Sequence, residues 1–309
     1  MLSFLSNLPV SVGYGLIWGI MAVGVFISYK VLDIPDLTVD GSFATGGAVC
    51  AVVFHAGGNF LLAMLAGLIA GAICGLVTGL LPTFLGIPPI LAGILTQLGL
   101  YSINYQILGG SNLSISRLSF NLFTYRADYL NGLWKIGIVI AVIIILLYLL
   151  FGTQLGASIR ATGNNSKMSR AQGINTKFNI VLGLMISNAI VAFSGAIYAQ
   201  WVGSGDVDHG RGAIVVGLCA IVIGLAITKR ISPNFLVRMV GVAFGAIIYY
   251  AIFQTVTMVK FGSFKFDPTL LKLISATLVA LFLGIPYISK KYFPNKMRKK
   301  KKSSGEEQL

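Results

Sequence analysis

The sequence predicts an all-α polytopic membrane protein, and three observations carry that reading. Of 309 residues, 56% are hydrophobic and only 10% are charged, and the mean hydropathy is +0.86. A soluble domain carries about 25% charged residues, so the composition excludes an ordinary water-soluble enzyme. The apolar residues fall into runs long enough to cross a hydrocarbon layer of ~30 Å, which takes ~20 residues of helix. Finally, 23 basic residues face 9 acidic ones, for a net charge of +14. The basic residues collect between the runs, where they set orientation, and this accounts for them without nucleic acid.

About nine transmembrane segments (eight to ten) are expected, near 11–31, 38–55, 59–82, 88–108, 133–151, 178–202, 212–228, 236–259 and 268–288. The first follows a stretch, Met1 to Pro9, that lacks Lys and Arg, so it reads as a retained helix and not a cleaved leader. The second is short and carries Asp40, Gly41, Ser42, Thr45, Gly46 and Gly47 in its first half. Such a segment is expected to be broken or re-entrant, which is tolerated only inside protein or along a cavity. The third places Gly67, Gly71, Gly75 and Gly79 four apart on one face. This smooth stripe suits close helix approach within the bundle, with a homodimer face as the alternative. Gly210, Gly217 and Gly224 repeat at seven residues, and Gly241 and Gly245 at four. The fourth segment opens at Pro88-Pro89 and holds Gln97, Asn104 and Gln106, so it is not expected to face lipid throughout.

Alternation of nine spans puts Lys30, the connection 152–177, the connection 229–238 and the tail on one side. Sixteen of the 23 basic residues then lie there. The positive-inside rule makes that side cytoplasmic, with the amino terminus outside and the carboxyl terminus inside. Residues 1–289 form one transmembrane domain, and 290–309 a basic cytoplasmic tail, expected to be disordered and held near anionic headgroups.

Chemistry-bearing constellations are sparse. Cys50, Cys74 and Cys219 lie in apolar stretches with no paired spacing, so neither a disulfide framework nor a zinc site is implied. His55 and His209 belong to no ligand motif, and no phosphate-binding Gly-x-x-x-x-Gly-Lys-Ser/Thr occurs. Glutamate is confined to Glu306 and Glu307. A non-catalytic chain without metal or cofactor follows. Asp33, Asp36 and Asp40 are expected at a helix junction on the cytoplasmic side, capping a helix start and pairing with Lys30. No acid falls mid-span in segments three to nine, which argues against a carrier coupled to an ion gradient. Uncharged polar residues remain inside the spans. Gln97, Asn104, Asn188 and Gln200 are the candidates for a solute path, with Gln106 and Gln254 as further in-span groups.

The connection 152–178 is too polar to span and too patterned for a plain linker, with breaks at Gly163-Asn164-Asn165 and at Gly173. Its Leu155-Gly156-x-x-x-Arg160-Ala161-x-Gly163-Asn164-Asn165, followed by Ala171-x-Gly173-Ile174, resembles the coupling loop of bacterial ABC importer permeases, in the branch serving branched-chain amino acids and ribose. Gly15-Leu16-x-x-Gly19-Ile20-x-Ala22-x-Gly24-Val25 resembles that branch's first core helix. Pro88-Pro89-Ile90-Leu91-Ala92 with Leu98-Gly99 resembles its later broken helix. Ile34-Pro35-Asp36-Leu37-Thr38-Val39-Asp40-Gly41-Ser42-Phe43 departs from the ribose type and is similar to the subgroup paired with tryptophan- or tyrosine-type binding lipoproteins.

The resemblance covers about residues 10–285 and implies a multi-pass permease of the bacterial cell membrane. It implies a second permease copy, two cytoplasmic ATPase subunits carrying ATP and Mg, an external binding lipoprotein, and surrounding membrane lipids. Arg160, Ala161, Gly163, Asn164, Asn165 and Gly173 would contact the ATPase. The solute would be small, an amino acid, with an aromatic one as the narrower expectation. A secondary transporter driven by an ion gradient is the alternative.

Overall fold

The computed structural model describes residues 2–115, 129–229, 232 and 234–258, with helical positions at 273, 276, 277, 280 and 284. By internal contacts the chain divides into residues 1–255 and 256–309. The second unit is described only at the end of the last continuous helix and at those five positions. The ninth predicted segment, 268–288, is therefore described only in part, and the tail 290–309 lies outside the described residues.

The elements run in the order α1 (Leu2–Phe26), continued by one π turn (Ile27–Val31); α2 (Val39–His55); α3 (Phe60–Phe84); α4 (Pro89–Leu108); β1 (Asn112–Ser114); α5 (Tyr129–Gly152); α6 (Gln154–Asn164); α7 (Ser166–Ala171); α8 (Thr176–Val202); β2 (Ser204–Asp206); α9 (Ala213–Thr228); and α10 (Phe235–Met258). Five stretches are long and apolar enough to cross a membrane: Val10–Val31, Phe60–Phe84, Gly132–Gly152, Thr176–Val202 and Phe235–Val256. The apolar helices α2 and α9 are shorter. The protein is thus an all-α membrane protein, and eight of its helices fall on the first eight predicted segments.

Helix α8 is the core element. At 27 residues it is about 40 Å long at 1.5 Å per residue, and α1, α2 and α3 pack along it. Apolar surface cannot drive helices together within lipid, so close packing and interhelical hydrogen bonds must. Both are present. The α3 stripe faces α8: Gly67 lies against Ala196, Gly71 against Asn188 and Ala192, Gly75 against Leu184 and Met185, and Gly79 against Val181. On α2, Gly46 meets the Ala192 backbone, and Gly195 of α8 meets Phe43 in return. A Cβ at any of these contacts would overlap backbone or force a neighbour to move. Helix α1 is tied on by Ser194 Oγ, which donates to Ile17 O at 2.6 Å, and by Ser187 Oγ, which donates to Gly24 O at 2.8 Å. Gly241 and Gly245 of α10 meet Thr228, Gly224 and Ala220 of α9.

One expectation is corrected here. Asp36 and Asp40 do not sit at the cytoplasmic surface, because after the π turn the chain re-enters the bundle and α2 begins inside it. Asp36 bonds Asn188, the thirteenth residue of α8, at 2.7 Å. Gly41 packs on Gln97 and Leu100, in the middle of α4. Asp33 alone is exposed, at a left-handed turn with φ 56° that Asp tolerates better than most residues. The start of α2 has no side-chain cap, and of the three acids Asp40 alone holds a helix start, that of α9; among the described residues no ion pair joins Lys30 to the three acids, and Lys30 is exposed.

Candidate functional site

Two short helices begin next to each other inside the bundle, and the acids of the 33–40 segment hold them there. Asp36 Oδ1 accepts from Thr38 N at 2.9 Å, closing the turn into α2, and its Oδ2 accepts from Asn188 Nδ2. Ser42 Oγ donates to Asn188 Oδ1 at 2.7 Å, so Asn188 is fully engaged by the start of α2. Thr38 Oγ1 and Thr78 Oγ1 lie 2.8 Å apart, extending the network to α3. Asp40 reaches across to the other helix. Its Oδ2 accepts from Gly212 N and its Oδ1 from Ile214 N, both at 2.9 Å, at the first turn of α9. The first amides of a helix lack internal partners and carry partial positive charge, so a carboxylate there is stabilised by both effects. The same close approach places Gly210 against the Asp40 carbonyl.

Beside this junction lies a cavity of about 410 Å³, lined by α2, α4 and the segment before α9. Asp40, Gln97, Tyr101, Asn104 and Arg211 supply its polar groups. Asn104 is 1% exposed. Its Nδ2 donates weakly to Gly41 O at 3.4 Å, while its Oδ1 has no hydrogen-bond partner among the described residues. A buried polar atom left unpaired costs ~1–3 kcal/mol, and the residue that carries it lines the cavity. At the cavity's rim Arg211 pairs with Asp208 at 2.9 Å and lies over the Tyr101 ring at 5.6 Å. Asn104 and Arg211 thus line one space. The antiparallel β1–β2 ribbon, with Leu113 opposite Gly205, seats Gly205 against Gly47 and Ala51 of α2 and Leu108 at the end of α4. Behind β2, His209 meets the Tyr198 ring edge-on at 5.0 Å. Burial holds its imidazole below the ordinary value, against the opposing pull of Asp206 and Asp208.

Of the four predicted path residues, Gln97 and Asn104 line this cavity. Asn188 stands behind it in the Asp36–Ser42 network. Gln200 is fully buried, its Nε2 3.1 Å from Met64 Sδ and 3.5 Å from Cys50 Sγ, in the α2–α3–α8 interior. Asp40, Tyr101 and Arg211 were not singled out as path residues. Their signal was weak: Asp40 read as a cap, and Arg211 counted only toward orientation.

The second region is the connection between α5 and α8. Three side chains punctuate it as N-caps: Thr153 accepts from Gly156 N, Asn165 from Met168 N, and Asn175 from Phe178 N. The predicted break at 163–165 falls at Asn165 because its side chain starts α7. Helix α6 is bolted to the bundle: Asn179 Nδ2 donates to Thr162 Oγ1 at 2.9 Å, Ser158 Oγ donates to Asn179 Oδ1 at 3.3 Å, and Gly163 abuts Val31 and Leu32. Asn164 and Asn165 are exposed and Ala161 is half-buried, while Gly173 turns the chain at φ 78°. Arg160 lies over the Phe235 ring at 5.9 Å. Helix α7 carries the free surface, with Lys167, Met168 and Arg170 exposed, Met168 by 60%. Lys167 and Arg170 stand out in the sequence only as basic residues of the connection, and neither charge nor spacing marks Met168.

The model of the family described as "Branched-chain amino acid transport system / permease component" matches residues 10–286. A tyrosine transport system permease protein of Clostridioides difficile is 36% identical over 272 residues, covering 87% of this chain and 88% of that protein. An uncharacterized protein of Rickettsia prowazekii is 31% identical, covering 87% and 93%. A D-allose transport system permease protein of Escherichia coli is 26% identical, covering 71% and 64%. No solved structure matches the chain significantly.

Proposed function

Because the chain belongs to the family of permease components of branched-chain amino acid transport systems, within the ABC importer permeases, we propose that it forms the membrane path for an amino acid, an aromatic one in particular. The family match over residues 10–286 carries the transport reading, and the cavity at the α2–α9 junction gives it a place. An amino acid presents an ammonium and a carboxylate. The cavity is lined by the Asn104 amide, the Asp40 carboxylate, the Arg211 guanidinium and the Tyr101 ring, which together offer polar acceptors, a cation and an aromatic face. The tyrosine permease of C. difficile supports the same solute class.

In this reading two copies of the chain would sit side by side with their amino termini outside. Solute would arrive from an external binding lipoprotein. ATP and Mg would be held by separate ATPase chains, and closure of the ATPase pair would move α6 and α7, switching the bundle between outward- and inward-facing packings. Short helices that begin inside the membrane are where transporters place solute contacts. The acids at this junction do not favour the ion-coupled alternative, since the oxygens of Asp36 and Asp40 already accept from Thr38, Asn188, Gly212 and Ile214.

The test is uptake into vesicles containing the permease, its ATPase and its binding protein. Accumulation of tyrosine or tryptophan should require ATP and the binding protein, and Asn104→Leu should lower uptake about tenfold, as loss of a hydrogen bond to a charged group does. Uptake indifferent to ATP and dependent on an ion gradient would overturn the reading.

A further inference from the structure

A second and larger cavity, of about 760 Å³, opens where α5 ends and where α6 and α10 begin. It lies at the end of the bundle that basic-residue counting assigns to the cytoplasm, level with the ends of two membrane-crossing stretches, Gly132–Gly152 and Phe235–Val256. Its lining divides into two chemistries. Tyr148 and Leu149, on the last turns of α5, present an exposed apolar face within the hydrophobic stretch. Arg160, Arg238 and Asn234 present a polar one, and no carboxylate among the described residues lines the cavity. The Phe235 ring carries the Arg160 guanidinium. Both arginines are exposed, and neither guanidinium has a hydrogen-bond or ion-pair partner among the described residues.

Two guanidinium groups, each with five N–H donors in a planar fork, share this space without a counter-charge. Such groups bind phosphate in bidentate fashion. The start of α10 adds the partial positive charge of a helix amino terminus. Basic pockets between transmembrane helices at the cytoplasmic interface suit acidic lipid headgroups. A soluble anion would use only the polar wall; an amphiphile uses both.

We propose that this cavity binds an acidic glycerophospholipid. Its phosphate lies between Arg160 and Arg238, Asn234 supplies a neutral amide donor, and its acyl chains run along Tyr148 and Leu149. Because Arg160 belongs to α6, the bound lipid braces the helix that leads into α7. The site is independent of the transport reading: it requires only a membrane-embedded chain, and its failure leaves that reading untouched.

Native mass spectrometry of the full-length chain, released from detergent after titration with phosphatidylglycerol or phosphatidylcholine, tests the proposal. Phosphatidylglycerol should be retained at least tenfold more strongly than phosphatidylcholine. Arg160→Gln with Arg238→Gln should lower that retention about tenfold or more, the scale of lost charged hydrogen bonds. Arg160→Lys with Arg238→Lys, which keeps the charge, should recover part of it, and Arg238→Gln alone provides a milder variant should the double glutamine form fold poorly. Equal retention of the two lipids, or undiminished phosphatidylglycerol binding by the glutamine variants, would overturn the proposal. Competition by glycerol phosphate or inorganic phosphate at concentrations comparable to the lipid would show a soluble-phosphate site and overturn the lipid assignment. Loss of ATPase attachment in the glutamine variants with lipid retention unchanged would instead assign the arginines to an acidic protein surface.

Discussion

Gly71 and Gly99 show how differently the same residue can be used. Both lie on apolar helices, yet a Cβ at Gly71 would strike Ala192 and the Asn188 carbonyl, whereas nothing lies within 4 Å of a Cβ at Gly99. Gly71→Val should destabilise the purified chain by about 1–3 kcal/mol, the range for overpacking, while Gly99→Val should change it by less than about 0.5 kcal/mol, as surface changes do. Thermal unfolding in detergent reads the difference. Spacing alone found the α3 stripe, because four-residue periodicity is a local property of one helix. It could not identify α8 as the partner, nor reveal that Asp36 and Asn188, 152 residues apart in sequence, form one hydrogen bond. Pairings of that kind are set by tertiary registration, which leaves no trace in a single sequence.

At the scale of elements, the polar connection between α5 and α8 separates into a fixed part and a free part. Helix α6 is anchored through Ile159, Thr162 and Gly163, while α7 turns Lys167, Met168 and Arg170 outward. Substitution at Gly163 would disturb packing against Val31 and Leu32 before it disturbed any partner, so α7 is the place to test coupling. Met168→Glu should abolish ATP-driven uptake by placing a charge in an apolar contact, with membrane insertion and thermal stability unchanged. Normal uptake by this variant would remove α7 from the ATPase contact. The loop's breaks were legible because Asn and Gly announce caps and left-handed turns. Division of labour between its two helices was not, since it depends on Asn179 reaching back from α8.

For the whole molecule, the fold class followed from composition and the run lengths, and the first eight helices followed from hydropathy. What hydropathy missed was depth. The polar first half of 38–55 already points to a broken or re-entrant helix, but 212–228 reads as a crossing, and the structure shows helices of 17 and 16 residues whose starts meet inside the bundle. A scale that counts apolar residues cannot tell a short crossing from one that begins partway. Orientation rests on the distribution of Lys and Arg, and it can be checked with cysteines introduced at Ala56 and Gln172, both exposed, on a background in which the native cysteines are buried. Ala56→Cys should react with a membrane-impermeant maleimide in intact cells, and Gln172→Cys only after lysis. The reverse pattern would invert the topology.

Asp40 has a mechanical consequence. Its backbone belongs to α2, its two oxygens hold the first turn of α9, and the two helices run away from this point toward opposite faces of the membrane. A carboxylate whose two oxygens accept from two amides of one turn is held at both ends, so the start of α2 and the first turn of α9 are joined through a single side chain. Any motion that parts the two helix starts must break both bonds at once, which makes this one side chain a clasp between segments 172 residues apart in sequence.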